Sequence, residues 1–176
     1  MTRSAGFHPR QAGMVLLISL VFLLLLSLIG LSSMQGAVSQ QKMASGAWHR
    51  NQSFQSAESG LRMGESIVQR AGSVLPACHS IITCAPPSES TSIVGAGVNP
   101  ISTVSWVAMK GGLYGIQSIG PGVGLAHLPP ETPAALFRVT AVGFSGQSRT
   151  VLESVFARVD EGASPYFRRV LWRQLQ

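Results

Sequence analysis

The chain has 176 residues, of which 11% are charged and 45% hydrophobic, and its formal net charge is +6. Soluble domains carry about 25% charged residues. This composition therefore excludes a chain that is a soluble domain over its whole length, and it indicates a concentrated apolar segment. The Lys and Arg residues are scattered and form no recognised nucleic-acid-binding module. The positive charge therefore gives no reason to expect a nucleic acid partner.

The deficit of charge originates near the N-terminus. A basic head with Arg3, His8 and Arg10 precedes an uncharged stretch, Gln11–Gln41, in which Met14–Leu31 is almost entirely apolar. About 20 such residues in a helix span a bilayer. Because basic residues favour the cytoplasmic side, we expect residues 1–13 inside the cell, residues 14–41 across the membrane and the rest outside.

One interpretation of this segment is a helix that stays on the mature protein after the basic head is cut off. Two other interpretations also fit the segment. A secretory signal peptide would be removed whole, but its apolar core usually runs to only about 7–15 residues. An uncleaved single-span anchor also accounts for the length and the hydropathy. The position of the mature N-terminus distinguishes the three interpretations.

The helical pattern continues beyond the apolar segment. No proline occurs between Pro9 and Pro76, so we predict one helix from about Met14 to about Arg70, ended by Gly72 and Pro76. Its second half, residues 42–71, is amphipathic. The predicted packing face is Ala47, Phe54, Ala57, Leu61, Gly64 and Val68. The predicted polar face is Gln52, Gln55, Glu58, Arg62, Glu65 and Gln69.

The remainder, residues 72–163, predicts a small globular domain. Residues 78–100 and 120–133 are rich in Ser, Pro and Gly and are typical of loops. The predicted strands are Thr103–Met109, Leu113–Ile119, Leu136–Phe144 and Thr150–Val159. A long helix followed by antiparallel strands predicts an α+β fold in which a small sheet covers the apolar stripe of the helix.

The C-terminal tail, residues 164–176, has an unusual composition. Tyr166, Leu171 and Trp172 are interleaved with Arg168, Arg169 and Arg173. Such a basic amphipathic segment is compatible with a helix on lipid or on a partner subunit. It is equally compatible with a frayed terminus or a last packed element.

The chemistry-bearing residues indicate no active site. Cys78 and Cys84 both follow the apolar segment and so lie on one side of the membrane, where we expect a disulfide. A zinc site that used them with His79 would lack a fourth ligand. The other histidines are dispersed, and the few carboxylates form no nucleophile–base pair. We therefore predict no catalytic residue, no metal, no cofactor and no enzymatic activity.

Specific residues carry a resemblance to a known family. Gln11-Ala12-Gly13 directly before an apolar run resembles the leader junction of type IV pilins. The segments 30–34, 41–46 and 51–65 are similar to the PilX family of minor pilins. The most specific run is Phe54-x-x-Ala57-Glu58-x-x-Leu61-Arg62-x-Gly64-Glu65.

This resemblance implies a processing step and a place in the cell. It implies that prepilin peptidase cuts between Gly13 and Met14 on the cytoplasmic side and that the mature protein is methylated. It implies an inner-membrane protein with a single pass and a periplasmic C-terminal domain, which later moves into the pilus. One departure is Ile18, which occupies the fifth mature position, where most pilins carry Glu.

The resemblance also implies partners. These are other minor pilins and the major pilin, contacted through the N-terminal helix, and a large tip adhesin. The expected function is pilus assembly within a tip or priming complex. A minor pseudopilin of type II secretion and a single-pass, envelope-anchored binding protein remain as alternatives.

Overall fold

The computed structural model describes residues 12–71, 75–160 and 164–176. One helix, α1, spans Ala12–Ala71, so the predicted long N-terminal helix is confirmed. The predicted terminator Gly72 lies outside the described residues. The chain divides into two compact units, Met1–Ser45 and Gly46–Gln176, and α1 contributes residues to both.

The second unit contains a sheet of six antiparallel strands in sequential order. The strands are β1 (Gly97–Val98), β2 (Ser105–Met109), β3 (Gly112–Gly122), β4 (Ala134–Ser145), β5 (Ser148–Val159) and β6 (Tyr166–Gln174). Each strand pairs with the next along the chain, so the sheet is a simple meander. The α+β pilin-like fold class predicted from the sequence is thus confirmed.

The side chains of the sheet alternate between two buried faces. On the helix-covered face, Phe137, Val139 and Ala141 of β4 pack with Leu61 and Val68 of α1. The opposite face, called the outer face below, has two smaller clusters. One is built around Trp106, Val142 and Val151, and the other around Ala134, Ala157 and Val159. Connecting segments cover these clusters, which explains why β4 and β5 are apolar on both faces.

Two segments predicted as loops carry regular structure. The 78–100 segment contains a short helix, α2 (Ile81–Cys84), a 3₁₀ helix (Ser88–Thr91) and β1. Strand β3 continues to Gly122, so the loop predicted from Gly120 begins later. The Pro- and Gly-rich composition predicted loops in both segments, because local composition carries no information on pairing with distant strands.

The C-terminal tail is a strand, and the prediction of a basic amphipathic helix there is wrong. Tyr166–Gln174 pairs antiparallel with β5, from Val159↔Tyr166 to Leu152↔Gln174. Adjacent residues point to opposite faces of the strand, so each face receives both apolar and basic side chains, and the pairing has a register shift opposite Val155 and Phe156. The alternative of a last packed element describes this segment.

Candidate assembly surfaces

Exposed apolar side chains surround the first half of α1 on all sides. From Met14 to Met34 the large apolar residues are 47–71% exposed within the structure. Among the described residues, one helix, Gly13–Arg70, is long and apolar enough by length and composition to cross a membrane, with a mean hydropathy of 3.0 in its most apolar window. Such a surface is stable only against lipid or against other apolar helices.

One hydroxyl within this segment is satisfied by a hydrogen bond inside its own helical turn. The hydroxyl of Ser19 donates to the carbonyl oxygen of Leu16, at 2.8 Å. A helical Ser that bonds back to its own turn needs no water, so it adds little to the cost of immersion in lipid. The segment is therefore suited to an apolar environment over its whole circumference.

The residues of the expected processing site lie at the start of this helix. Gly13 and Met14 are in the first turn of α1, and a Cβ at Gly13 would meet no atom within 4 Å. Packing among the described residues therefore does not explain the glycine at this position. Ile18 follows one turn later and is 49% exposed, among other apolar side chains.

In the second half of α1, small residues allow the sheet to approach closely. A Cβ at Gly64 would overlap the side chain of Val139, and a Cβ at Gly143 of β4 would overlap the backbone of Ser53 and Ala57. At Gly143 a larger residue would displace the helix backbone, and at Gly64 it would displace the side chain of Val139.

The packing face of the helix differs from the predicted set in four places, the fourth being the buried Glu65. Ala57, Leu61, Gly64 and Val68 are buried and Phe54 is half-buried, as the spacing indicated. Ala47 is exposed, since the sheet does not reach it, and it does not belong to this face. Ser53 and Gly60, which the sequence pattern did not single out, are buried instead.

Glu65 was assigned to the polar face, and this assignment is wrong. Its side chain is buried and accepts hydrogen bonds from Ser154 Oγ at 2.7 Å, from Arg169 Nε at 2.9 Å and from Arg169 Nη2 at 2.7 Å. The signal for this location is its spacing, because Glu65 lies one turn after Leu61 on the same side of the helix. The charge of Glu65 obscured that signal.

A second buried carboxylate lies on the outer face of the sheet. Glu153 of β5 is fully buried between two arginines. Its Oε1 accepts from Arg173 Nε at 3.0 Å, and its Oε2 contacts Arg138 Nε at 3.2 Å as an ion pair without hydrogen-bond alignment. Burial lowers the pKa of the Arg138 guanidinium, and the Glu153 carboxylate opposes that shift.

The cysteine pair lies beside this cluster. Cys78 and Cys84 form a disulfide with their Cα atoms 5.2 Å apart, around the short helix α2. Arg138 Nη1 donates to the Cys84 carbonyl at 2.7 Å, and Gln117 Nε2 donates to the Thr83 carbonyl at 2.8 Å. The loop is thereby fixed to β3 and β4. In a disulfide, neither sulfur is available as a thiolate ligand for a metal.

These charged groups form ion pairs with each other. Glu65 and Glu153 are both engaged by arginines. Within residues 12–71, 75–160 and 164–176, no group of three or more His, Cys, Asp or Glu residues could hold a metal ion. The chemistry of the site is therefore that of surfaces: an apolar helix, a helix–sheet interface and an open strand at the edge of the sheet.

A long helix that is apolar enough in its first half to cross a membrane, and whose second half packs on an antiparallel meander, is consistent with a pilin-like α+β fold. The family model for the PilX N-terminal region matches residues 12–62. Residues 12–62 are therefore similar to the N-terminal region of PilX-type pilins, a family related to type IV pili. No curated protein and no solved structure matches the chain.

Proposed function

We propose that this protein is a minor pilin that takes part in type IV pilus assembly within a tip or priming complex, as a structural, non-catalytic subunit. The observation that carries the proposal is the exposed apolar half of α1 within a segment that matches the PilX N-terminal model. The proposal also includes cleavage of the precursor after Gly13, a location in the inner membrane before assembly, and a sheet domain in the periplasm.

The apolar helix accounts for the transfer from membrane to filament. A subunit that leaves the bilayer exchanges lipid contacts for contacts with neighbouring pilin helices. Since both surroundings are apolar, the exchange has a small net cost in hydrophobic free energy for residues such as Leu16, Phe22 and Leu24. Other minor pilins and the major pilin are therefore the proposed partners of this surface.

Ile18 supports a position at or near the tip. A carboxylate in the apolar part of a bilayer costs up to about 2.5–3.5 kcal/mol at the centre on insertion scales, and less near the end of the helix where residue 18 lies, so it persists only where a partner offsets the cost. In pilins with Glu at this position, the partner is the α-amine of the subunit above. The first subunit of a filament has no subunit above it, and an apolar side chain such as Ile18 avoids the unpaired charge.

The test is immunogold labelling of pili from a strain whose only copy of the gene carries an epitope. We expect few labels per filament, located at one end, and fewer pili when the gene is deleted. The variant Ile18→Glu is expected to allow some label along the shaft. Label distributed evenly along filaments of the unmodified protein would contradict the tip position, and unchanged piliation after deletion would contradict a role in assembly.

A further inference from the structure

Strand β6 leaves one edge of the sheet open. It pairs with β5 and with no other strand in the described part of the chain. Its side chains are exposed except for Phe167 and Val170, which are half-buried. Every second residue of such an edge directs its N–H and C=O groups away from the sheet. A nine-residue exposed edge is therefore a template for a further strand, whereas β1 at the other edge has only two residues.

Both faces of β6 are fixed to the rest of the domain. On the helix-covered face, Arg169 bonds to Glu65 and the Trp172 ring lies edge-on to Phe54, with ring centroids 6.3 Å apart. On the outer face, Arg173 is paired with Glu153. Because the strand is held in place before any partner arrives, a binding segment does not have to order it.

The outer face of β6 carries an excess of positive charge. Glu153 contacts two arginines, Arg138 and Arg173, so this cluster has one positive charge more than its single carboxylate neutralises. Arg168 is exposed and forms no ion pair among the described residues. Its partner in β5 is Ala157, on the same outer face.

This charge argues against a second copy of the chain as the occupant. Two β6 strands side by side would bring Arg168, Arg169 and Arg173 of one copy close to those of the other. Like charges across a strand pair are destabilising, and basic residues on an edge are a known protection against self-pairing. An acidic segment would gain from the same charges.

We propose that the open edge of β6 binds an extended, acidic segment of a partner protein, which adds to the sheet as a further strand. Its backbone would pair with the outward N–H and C=O groups of β6. Its carboxylates would lie opposite Arg168 and Arg173, and its apolar residues would cover Tyr166 and Leu171, which are 36% and 42% exposed. The proposed binding site consists only of residues of the sheet. Its binding can therefore be measured on the isolated protein, whether or not the protein takes part in pilus assembly.

The experiment uses the full chain in detergent micelles and two synthetic nine-residue peptides of alternating Val and Thr. One peptide carries Glu at two positions on one strand face, and the matched peptide carries Lys there. We expect the Glu peptide to bind and to slow amide hydrogen exchange in β6. Arg168→Glu should weaken its binding about tenfold, because an attractive exposed pair becomes a repulsive one. Lys110→Glu makes the same charge change in the exposed turn between β2 and β3 and should leave binding unchanged.

The comparison of the two peptides on the unmodified protein needs no variant, so poor folding of Arg168→Glu would not obscure the result. Equal binding of the Lys peptide, absence of Glu-peptide binding, or protection confined to residues outside β6 would each overturn the proposal. Concentration-dependent dimers with protected β6 amides in the absence of peptide would overturn it in favour of a second copy.

Discussion

The carboxylate of Glu65 on α1 receives two hydrogen bonds from the guanidinium of Arg169 on β6, at 2.9 Å from Nε and 2.7 Å from Nη2. The two residues are 104 positions apart in the sequence. This pair joins the helix of the second unit to the last strand of the sheet. It therefore contributes, with the backbone pairing to β5, to holding the C-terminal strand in place.

Removal of the Glu65 carboxylate should destabilise this unit. Glu65→Ala leaves Arg169 and the buried Ser154 hydroxyl without their acceptor, and we expect a loss of about 2 kcal/mol in the free energy of unfolding. The value lies below that for a fully buried pair, because the Arg169 side chain is 42% exposed. Urea unfolding of the full chain in micelles measures it.

Glu58→Ala is the matched control. Glu58 forms an exposed i,i+4 pair with Arg62 at 3.7 Å on the same helix, and such pairs contribute about 0.5 kcal/mol or less. Equal losses for Glu58→Ala and Glu65→Ala would contradict the buried role of Glu65.

Glu153→Gln should lower the free energy of unfolding more than Glu65→Ala does. The substitution keeps the shape of the side chain but leaves the buried Arg138 guanidinium, and part of Arg173, without a counter-charge. Breaking a buried pair costs about 3 kcal/mol or more. The control Asp160→Asn alters a pair in which the acid is 61% exposed, and its unfolding midpoint should move little. A Glu153→Gln protein as stable as the unmodified chain would show that the cluster does not stabilise the sheet.

Gly143→Ala should disturb the contact between α1 and β4. The new Cβ would overlap backbone atoms of Ser53 and Ala57, and a rigid helix cannot yield as a side chain can. We expect a loss of about 3 kcal/mol in the free energy of unfolding, at the upper end for overpacking. Gly95→Ala, where a Cβ meets nothing within 4 Å, serves as the control. Similar thermal midpoints for the two variants would refute the close approach.

Disruption of the disulfide should loosen the 78–84 loop. The chain-entropy model gives about 2–3 kcal/mol for so short a loop, although the hydrogen bonds from Arg138 and Gln117 retain part of the structure. Alkylation of the native protein without reductant should label neither Cys78 nor Cys84, and the double Ser variant should unfold at lower urea. Full alkylation of both residues in the native protein would exclude the bond.

The sequence predicted the elements better than their contacts. The absence of proline and the helical spacing were sufficient for α1, and two apolar runs on either side of the turn at residues 145–148 were sufficient for β4 and β5. The strand at the C-terminus could not be distinguished from a helix, because Arg169 and Arg173 gain their partners only from distant parts of the chain. Long-range pairing overrides local pattern in such segments.

The same limit applies to individual residues. Ala47 fits the helical spacing but lies beyond the reach of the sheet, and the extent of a sheet cannot be read from the helix that it covers. Glu65 fits the spacing but carries a charge, so it was placed on the polar face. A buried charge becomes predictable only when its counter-charge is known to be near.

Processing after Gly13 is the central expectation of the pilin assignment. Gly13→Arg should leave the precursor uncut and membrane-bound, because a bulky charged side chain replaces the small residue at the scissile bond. The control Gly36→Ala lies in the same helix, where a Cβ meets nothing within 4 Å, and it should be processed normally. Mature Gly13→Arg protein of unchanged mass would contradict a glycine-dependent cut.

Mass spectrometry of the mature N-terminus tests the assignment most directly. Intact-mass and terminal-peptide analysis of the protein from its native envelope should give a chain that begins at Met14 and keeps the whole apolar helix. A chain that still begins at Met1 would instead establish an uncleaved anchor. A chain that begins beyond Leu31 would establish a removed signal peptide and contradict the pilin account.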